Sequence, residues 1–317
     1  MTAADSKLPL RRFGQTELLV TPLCIGCAPL SDMPRVFGYS VTEARALATL
    51  RAAFNSPITY MDTAGAYGDG ESERRIGIVL REIGGLPAGY ILATKVGREP
   101  RSGDFGGEQV KRSVERSLRL LGLDQLHIVF LHDPEHTSFE KAIGPDGPLE
   151  MLLHYKAQGI IQHIGIAGGP VDLLIRYVEA GPFEAVITHN RYTLLNRAAG
   201  PLLDIATRRG LAAINAAPYG GGMLAKGPDA YARYAYREAS GAIIERARRM
   251  AALCEEYEVP LAAAALQFSL RDSRITSTII GMSHAERVAQ TLELARHPIP
   301  DEIWPRLDRA GFDTDDL

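Results

Sequence analysis

Hydrophobic and polar residues follow two patterns that take turns along the chain. Short apolar runs rich in β-branched residues have the length of strands, and the amphipathic segments between them have the length of helices. The eight predicted strands cover 22–26, 59–63, 90–96, 126–132, 161–167, 184–190, 211–218 and 276–281. The eight predicted helices cover 42–54, 71–83, 107–121, 148–158, 171–180, 201–209, 241–257 and 284–296.

This alternation of strands and helices indicates the class of fold. It requires parallel pairing of the strands with right-handed crossovers, and eight such units are the number that closes a barrel. Segment 107–121 shows the helical pattern clearly, with one apolar stripe and charged residues elsewhere. The sequence therefore predicts an α/β fold, a (β/α)8 TIM barrel.

Three segments lie outside the repeat. Residues 8–22 predict a short hairpin that turns near Gly14 and plugs the bottom of the barrel. The glycines, proline and four tyrosines of residues 219–240 are typical of an ordered lid. From Pro298 onward we expect a C-terminal extra helix or tail that packs over the barrel mouth and then frays at "DTDDL". No linker interrupts the pattern, so one domain over residues 1–317 is predicted.

Composition narrows the functional classes. The chain has 317 residues, 46% of them hydrophobic, and its 35 lysines and arginines nearly balance 38 aspartates and glutamates. Without a basic field, a nucleic acid or a membrane surface is not expected as a partner. The first residues, "MTAADSKLPLRRFG", lack the apolar core of a signal peptide, and the longest apolar stretch is too short to span a bilayer. We therefore expect a cytoplasmic protein.

The three cysteines do not predict a metal site. Cys24 and Cys27 form a CxxC pattern, but on a strand residues three apart point to opposite faces. The sequence has no second pair to complete the ligand set. Both are interpreted as ordinary strand residues.

Four side chains at the ends of consecutive strands are candidates for chemistry. Asp62 ends the second strand, Tyr67 lies in the loop beyond it, and Lys95 and His132 end the third and fourth strands. Barrel enzymes carry their catalytic groups at these ends. An ammonium beside the phenol would lower its pKa from about 10, and the carboxylate would hold the ammonium in place. Such a set suits proton transfer at a substrate oxygen, while a redox step would need a cofactor.

These residues, within "MDTAGAYGDGESE", "ATKVG" and "FLHDP", resemble the catalytic tetrad of the aldo-keto reductases, and the resemblance covers nearly the whole chain. It implies a nicotinamide dinucleotide bound without a Rossmann fold. In agreement, the early part of the chain has no GxGxxG, and only a loose GxGxxA occurs, at Gly220, Gly222 and Ala225. The resemblance also implies these cofactor contacts: Gly26, Cys27, Asp62, Ala167, Gly168, His189, Ala217, Pro218, Tyr219, Gly220, Gly222, Gly281, Met282, Ser283, Arg287, Gln290 and Thr291.

Several of these positions depart from the family pattern. Ala167 and Gly168 replace a serine and an asparagine that usually hold the carboxamide, His189 replaces a glutamine, and Ala216 replaces a stacking aromatic residue. Gly281 replaces a lysine often used for the 2′-phosphate of NADP, whereas Arg287 remains. One cation instead of two favours NAD, with NADP as the alternative.

This pattern resembles the D-threo-aldose 1-dehydrogenase branch of the family, which implies NAD-dependent oxidation of a cyclic hemiacetal, an aldose such as L-fucose or pyridoxal, to a lactone. The first alternative is an NADPH-dependent aldehyde or ketone reductase of the same fold. Others are a Schiff-base aldolase using Lys95, a nucleotide-binding redox-sensing subunit, and a metal hydrolase built on His132, Asp133 and His136. The substrate and the oligomeric state remain open at this point.

Overall fold

The computed structural model describes residues 7–317; the first six residues, part of the stretch inspected for a signal peptide, lie outside the described residues. Eight parallel strands form a closed barrel in which each strand pairs with the next along the chain and the last pairs with the first. They are β3 Leu23–Gly26, β4 Tyr60–Asp62, β5 Ile91–Gly97, β6 Leu126–His132, β7 Ile161–Gly168, β8 Ala185–His189, β9 Ala212–Ala216 and β12 Ile275–Gly281. The predicted (β/α)8 barrel is confirmed.

The helices surround this barrel. They are α1 Pro34–Phe37, α2 Glu43–Phe54, α3 Glu71–Glu82, α4 Gly107–Leu121, α5 Phe139–Ile143, α6 Pro148–Ala157, α7 Val171–Ala180, α8 Gly200–Arg208, α9 Met223–Lys226, α10 Gly241–Glu256, α11 Leu261–Leu270, α12 Glu286–Arg296 and α13 Ile303–Arg309. All eight predicted helices are present with ends shifted by at most two residues. Among the described residues, no helix is both long and apolar enough to cross a membrane.

The prediction missed α11. Its sequence, "LAAAALQFSL", is apolar on nearly every side, so it lacks the alternation by which the other helices were found. A helix of this kind is stable only when it is buried, and six of its ten residues are.

The N-terminal hairpin closes the bottom of the barrel, as predicted. Strands β1 Arg11–Arg12 and β2 Leu19–Val20 pair antiparallel. Phe13 lies in the core of the barrel interior, where its ring meets that of Tyr60 edge to face with centroids 6.3 Å apart. Cys24 belongs to the same interior core, whereas Cys27 lies in the core between barrel and helices. The two cysteines thus face opposite sides.

The expectation that the last residues fray is wrong. Asp313 accepts a backbone hydrogen bond from Arg197 at 2.7 Å and donates one to Leu195 at 2.9 Å. The Asp316 carboxylate accepts from the backbone nitrogen of Val171 at 2.7 Å. Because their partners lie in the segments that follow β7 and β8, these contacts hold the tail against the top of the barrel.

The lid is ordered, as predicted. After β9 it contains a turn over Gly220–Gly222, the short helix α9, and a hairpin of β10 Arg233–Tyr234 and β11 Arg237–Glu238. Tyr234 fixes the hairpin to the barrel, since its hydroxyl donates to the carbonyl of Asn190 at 2.9 Å.

Candidate active site

The register of the barrel brings three functional side chains to one place. Asp62 pairs with Ala93 on the neighbouring strand β5, and Lys95 pairs with Phe130 on β6. Side chains on a strand alternate between faces, so Lys95, two residues after Ala93, faces the same side as Asp62. His132, two residues after Phe130, does the same one strand further on.

The loop after β4 returns Tyr67 over this position. The nitrogen of Gly65 donates to the carbonyl of Lys95 at 3.0 Å, which ties the loop to β5. Gly68 then adopts a φ of +60°, and a Cβ there would be 2.4 Å from the carbonyl oxygen of Ser31. Only glycine fits both restrictions, so the chain can pass close to Ser31 and enter α3.

Lys95 is the centre of the site and is almost completely buried. Its Nζ donates to Asp62 Oδ2 at 2.5 Å, to the carbonyl of Thr63 at 2.9 Å and to the hydroxyl of Tyr67 at 2.9 Å. An ammonium has three donors, and these bonds use all of them. Asp62 and Tyr67 are thereby held on either side of one cation.

Burial and charge compete in setting the pKa values of this group. Burial alone would lower the pKa of Lys95, but Asp62 and Tyr67 outweigh it and hold that pKa above its ordinary value. Burial raises the pKa of Tyr67, and the opposing effect of Lys95 is smaller. Lys95 therefore acts in the expected direction, but the expectation of a lowered phenol pKa is wrong because desolvation is the larger effect.

His132 completes the group and is neutral. Its ring meets that of Tyr67 edge to face, with centroids 5.8 Å apart. Burial lowers the pKa of His132 to about 4, and Lys95 adds to the decrease. A neutral imidazole keeps one nitrogen as donor, so it can hold a substrate oxygen near the Tyr67 hydroxyl.

Two of the alternative chemistries do not fit this geometry. A Schiff-base lysine must be a neutral, free amine, but Lys95 is a protonated amine with every donor used. Within residues 7–317, no three His, Cys, Asp or Glu side chains are placed to hold a metal ion together. The metal hydrolase therefore has no structural support.

The four side chains lie in the wall of a cavity of about 330 Å³, here called the reaction cavity. A second cavity of about 310 Å³, the distal cavity, lies under the lid. Both are lined by Pro29, Phe37, Ala217, Tyr236 and Gly281, so they are two parts of one groove. Phe37 and Tyr236, from opposite sides, meet edge to face at 5.8 Å between centroids. The groove is therefore elongated, as a dinucleotide site must be.

The donors of the distal cavity suit phosphates. Lys226 and Arg287 line it, and its described lining contains no carboxylate. Gly221 and Gly222, at φ values of +76° and +132°, bring bare backbone to the same wall. Cations and glycine backbone next to a proton-transfer group therefore fit a nicotinamide dinucleotide.

The predicted cofactor residues divide between the two cavities and the core. Gly26, Asp62, Ala167, Gly168, His189, Ala217 and Gly281 line the reaction cavity. Ala217, Pro218, Tyr219, Gly222, Gly281, Ser283 and Arg287 line the distal cavity. These contacts remain predictions, but the structure brings the residues together around one groove.

Five of the predicted cofactor residues line neither cavity. Cys27, Met282 and Thr291 have fully buried side chains that line neither cavity, so a ligand there could reach only their backbone. Gly220 packs against Tyr234, and its neighbour Gly221 lines the cavity instead. Gln290 lines neither cavity but an adjoining depression, which shares Arg287 with the distal cavity. The sequence pattern does not show which side chains of these segments turn inward.

Other residues of the groove were missed. Phe37 follows the first barrel strand in a region that matched no pattern, and Lys226 lies in the lid. The Lys226 ammonium lies 4.1 Å from the ring centroid of Tyr231 and 5.5 Å from that of Tyr39. Lid tyrosines next to a lysine were the signal that could have identified this cation.

The sequence is similar to those of known proteins. The family model for the Aldo/keto reductase family matches residues 22–311. The chain belongs to the aldo-keto reductase family. It is 30% identical to pyridoxal 4-dehydrogenase of Microbacterium luteolum, over 95% of this chain and 97% of that one. It is also 30% identical to D-threo-aldose 1-dehydrogenase of Pseudomonas sp (92% and 94%) and 31% identical to L-galactose dehydrogenase of Arabidopsis thaliana (90% and 88%).

Solved structures share the fold. Aldo-keto reductase AKR11C1 from Bacillus halodurans, in its holo form, superposes with a TM-score of 0.79 at 21% identity and covers 98% of both chains. As an aldo-keto reductase, this chain is an oxidoreductase that uses a nicotinamide cofactor.

We expect His132 to make the aldo-keto reductase less stable in mild acid. Between a pKa of about 4 in the folded state and about 6.5 in the unfolded state, the unfolded chain binds the extra proton. Stability therefore falls as the pH falls, by about 2 kcal/mol at pH 5. Urea unfolding of wild type and His132→Asn at pH 7 and pH 5 measures the loss of unfolding free energy. The part of this loss that is due to His132 should be absent from the variant. An equal loss in both proteins would contradict it.

Proposed function

We propose that this aldo-keto reductase oxidises the hemiacetal hydroxyl of a cyclic sugar, or of a ring-closed aldehyde such as pyridoxal, to a lactone, with NAD as the oxidant. The observation that carries the proposal is the Tyr67 hydroxyl on the reaction cavity, 2.9 Å from the buried Lys95 ammonium. The phenolate form of this side chain can take a proton from a hydroxyl, while a bound dinucleotide would supply the hydride acceptor.

Each member of the tetrad has one role in the proposal. Tyr67 accepts the hydroxyl proton as a phenolate, and the Lys95 ammonium stabilises that phenolate. Asp62 fixes Lys95, since its Oδ2 lies 2.5 Å from Nζ. His132, neutral and beside Tyr67, donates a hydrogen bond to the reacting oxygen.

The choice of substrate class rests on the relatives. Those at 30–31% identity are named for pyridoxal, a D-threo-aldose and L-galactose, all compounds that can close to a hemiacetal. A cyclic hemiacetal presents a C–H bond and a hydroxyl on one carbon, as the paired transfer of hydride and proton requires.

The choice of NAD rests on Gly281. By the family resemblance this position often holds a lysine for the 2′-phosphate, and here it carries no side chain. Lys226, the other cation of the distal cavity, comes from the lid rather than from this position and lies over the ring of Tyr231. Arg287 is then the cation left at the family position, which favours the dinucleotide without the extra phosphate.

A dinucleotide-reduction screen over L-fucose, other aldoses and pyridoxal, run in parallel with NAD and NADP, tests the proposal. We expect at least one of these hemiacetals to be oxidised faster with NAD, and mass spectrometry of the product to give the lactone. Simple aldehydes reduced by NADPH, with no hemiacetal oxidised, would instead support the reductase alternative.

A further inference from the structure

Asp133, the residue after His132, has an unusual backbone. Its φ of +48° and ψ of +58° lie in the left-handed region, which few residues other than glycine adopt. It also precedes Pro134, and a residue before proline is normally driven to extended conformations. Two backbone preferences are therefore violated at one position beside the catalytic histidine.

The surroundings hold Asp133 in this conformation. Its nitrogen donates to the carbonyl of Ala167 at 2.7 Å, and its carbonyl accepts from the nitrogen of His136 at 3.1 Å. Strain that is fixed by neighbouring contacts at an active site indicates that the position of the side chain matters. The backbone hydrogen bonds explain how the strained conformation persists, and the position of the side chain indicates its purpose.

The Asp133 side chain lies where two cavities adjoin. It lines the reaction cavity and also a smaller cavity of about 110 Å³ that opens between the loops after β4, β5 and β6. The carboxylates that line the described part of the reaction cavity are Asp62 and Asp133. Asp62 is buried and forms an ion pair with Lys95, so Asp133 is the one available to a ligand. Asp133 is 39% exposed at its side chain, and its Oδ1 lies 3.5 Å from Nε2 of His132.

We propose that Asp133 determines specificity by accepting a hydrogen bond from a hydroxyl on the carbon next to the reacting carbon. This inference rests on the proposed function, in which His132 holds the reacting oxygen. A carboxylate 3.5 Å from the histidine nitrogen is placed for the neighbouring oxygen of a vicinal pair. Hydrogen bonds to an ionised acceptor are stronger than neutral ones, so the group selects polyhydroxylated substrates over simple aldehydes and alcohols.

Two variants remove the charge without disturbing the backbone. Asparagine tolerates the left-handed region, and glycine adopts it freely, so Asp133→Asn and Asp133→Gly both keep the loop. Glu135→Gln is the matched control. It removes a carboxylate from the same loop, but Glu135 accepts from the nitrogen of Gly169 at 3.3 Å and lines neither cavity.

The experiment compares an oxidised aldopyranose with its 2-deoxy analogue. For the parent sugar, kcat/KM should fall about tenfold in Asp133→Asn and about 10- to 150-fold in Asp133→Gly, chiefly through KM. For the 2-deoxy sugar, both variants should stay within about threefold of wild type, and so should Glu135→Gln with either sugar. Equal losses on the two sugars, or none, would overturn the assignment.

A separate binding measurement keeps this test distinct from the test of the proposed function. If wild type oxidises no hemiacetal, the proposed reaction fails, and calorimetry with an aldonolactone and its 2-deoxy form still tests Asp133. Weaker binding of only the 2-hydroxylated lactone by Asp133→Gly supports the inference, and unchanged binding refutes it.

Discussion

Tyr67→Phe should abolish nearly all turnover while the protein still folds and binds dinucleotide. Loss of a positioned acid or base costs about 10²- to 10⁴-fold in rate. The phenylalanine ring can keep the edge-to-face contact with His132, so only the hydroxyl is removed. In the variant, Lys95 loses the hydrogen bond that it donates to the Tyr67 hydroxyl. Because Lys95 lines the reaction cavity, a water molecule can accept that hydrogen bond instead. Steady-state kcat and titration with NADH measure the two effects separately.

The matched control is Tyr155→Phe. Tyr155 lies on α6, where its hydroxyl donates to Glu115 at 3.2 Å, and it lines neither cavity of the groove. It should leave both kcat and NADH affinity unchanged. If Tyr67→Phe retained turnover within about threefold of wild type, Tyr67 would not be the proton acceptor and the assigned chemistry would have to move elsewhere.

The pH dependence of the wild type follows from the same residue. Because burial raises the pKa of Tyr67 above its ordinary value, the phenol holds its proton at neutral pH. Hemiacetal oxidation needs the phenolate, so its rate should increase with pH through the alkaline range. This is the sign opposite to that of a reductase, in which the protonated phenol is the active form.

Periodicity was sufficient to predict the barrel because each strand and amphipathic helix carries its pattern within its own residues. The proximity of Asp62, Lys95 and His132 was predictable because the parallel strands of a barrel end together, so residues at neighbouring strand ends meet. Helix α11 was not predicted because a segment that is apolar on all sides has no periodicity to detect.

The shape of the groove could not be predicted in this way. Phe37 and Tyr236 meet although they are far apart in the sequence, and no local pattern records that contact. The pKa of Tyr67 was misjudged for a related reason, because the sequence shows the nearby cation but not how completely the phenol is buried. Side-chain direction in the segment after β12 is set by packing against α2 and α11, which also lies beyond the sequence pattern.

Breaking the Lys95–Asp62 pair should produce the largest loss of stability. Both side chains are about 3% exposed, so removal of one leaves an uncompensated charge in the barrel. Lys95→Met is expected to lower the free energy of unfolding by about 3–5 kcal/mol. The deficit should be smaller at pH 5 than at pH 8, because an unpaired buried Asp62 binds a proton more readily than it does in the unfolded chain.

The double variant separates the fold from the chemistry. Adding Asp62→Asn to Lys95→Met removes the stranded carboxylate, so urea unfolding should show most of the lost stability restored while turnover stays absent. Arg51→Met is the control, since Arg51 and Glu82 form an exposed ion pair on the outer helices and its loss should hardly change the unfolding midpoint. If the two buried substitutions were simply additive, the side chains would be stabilised independently, and Asp62 could not be the residue that holds Lys95 for catalysis.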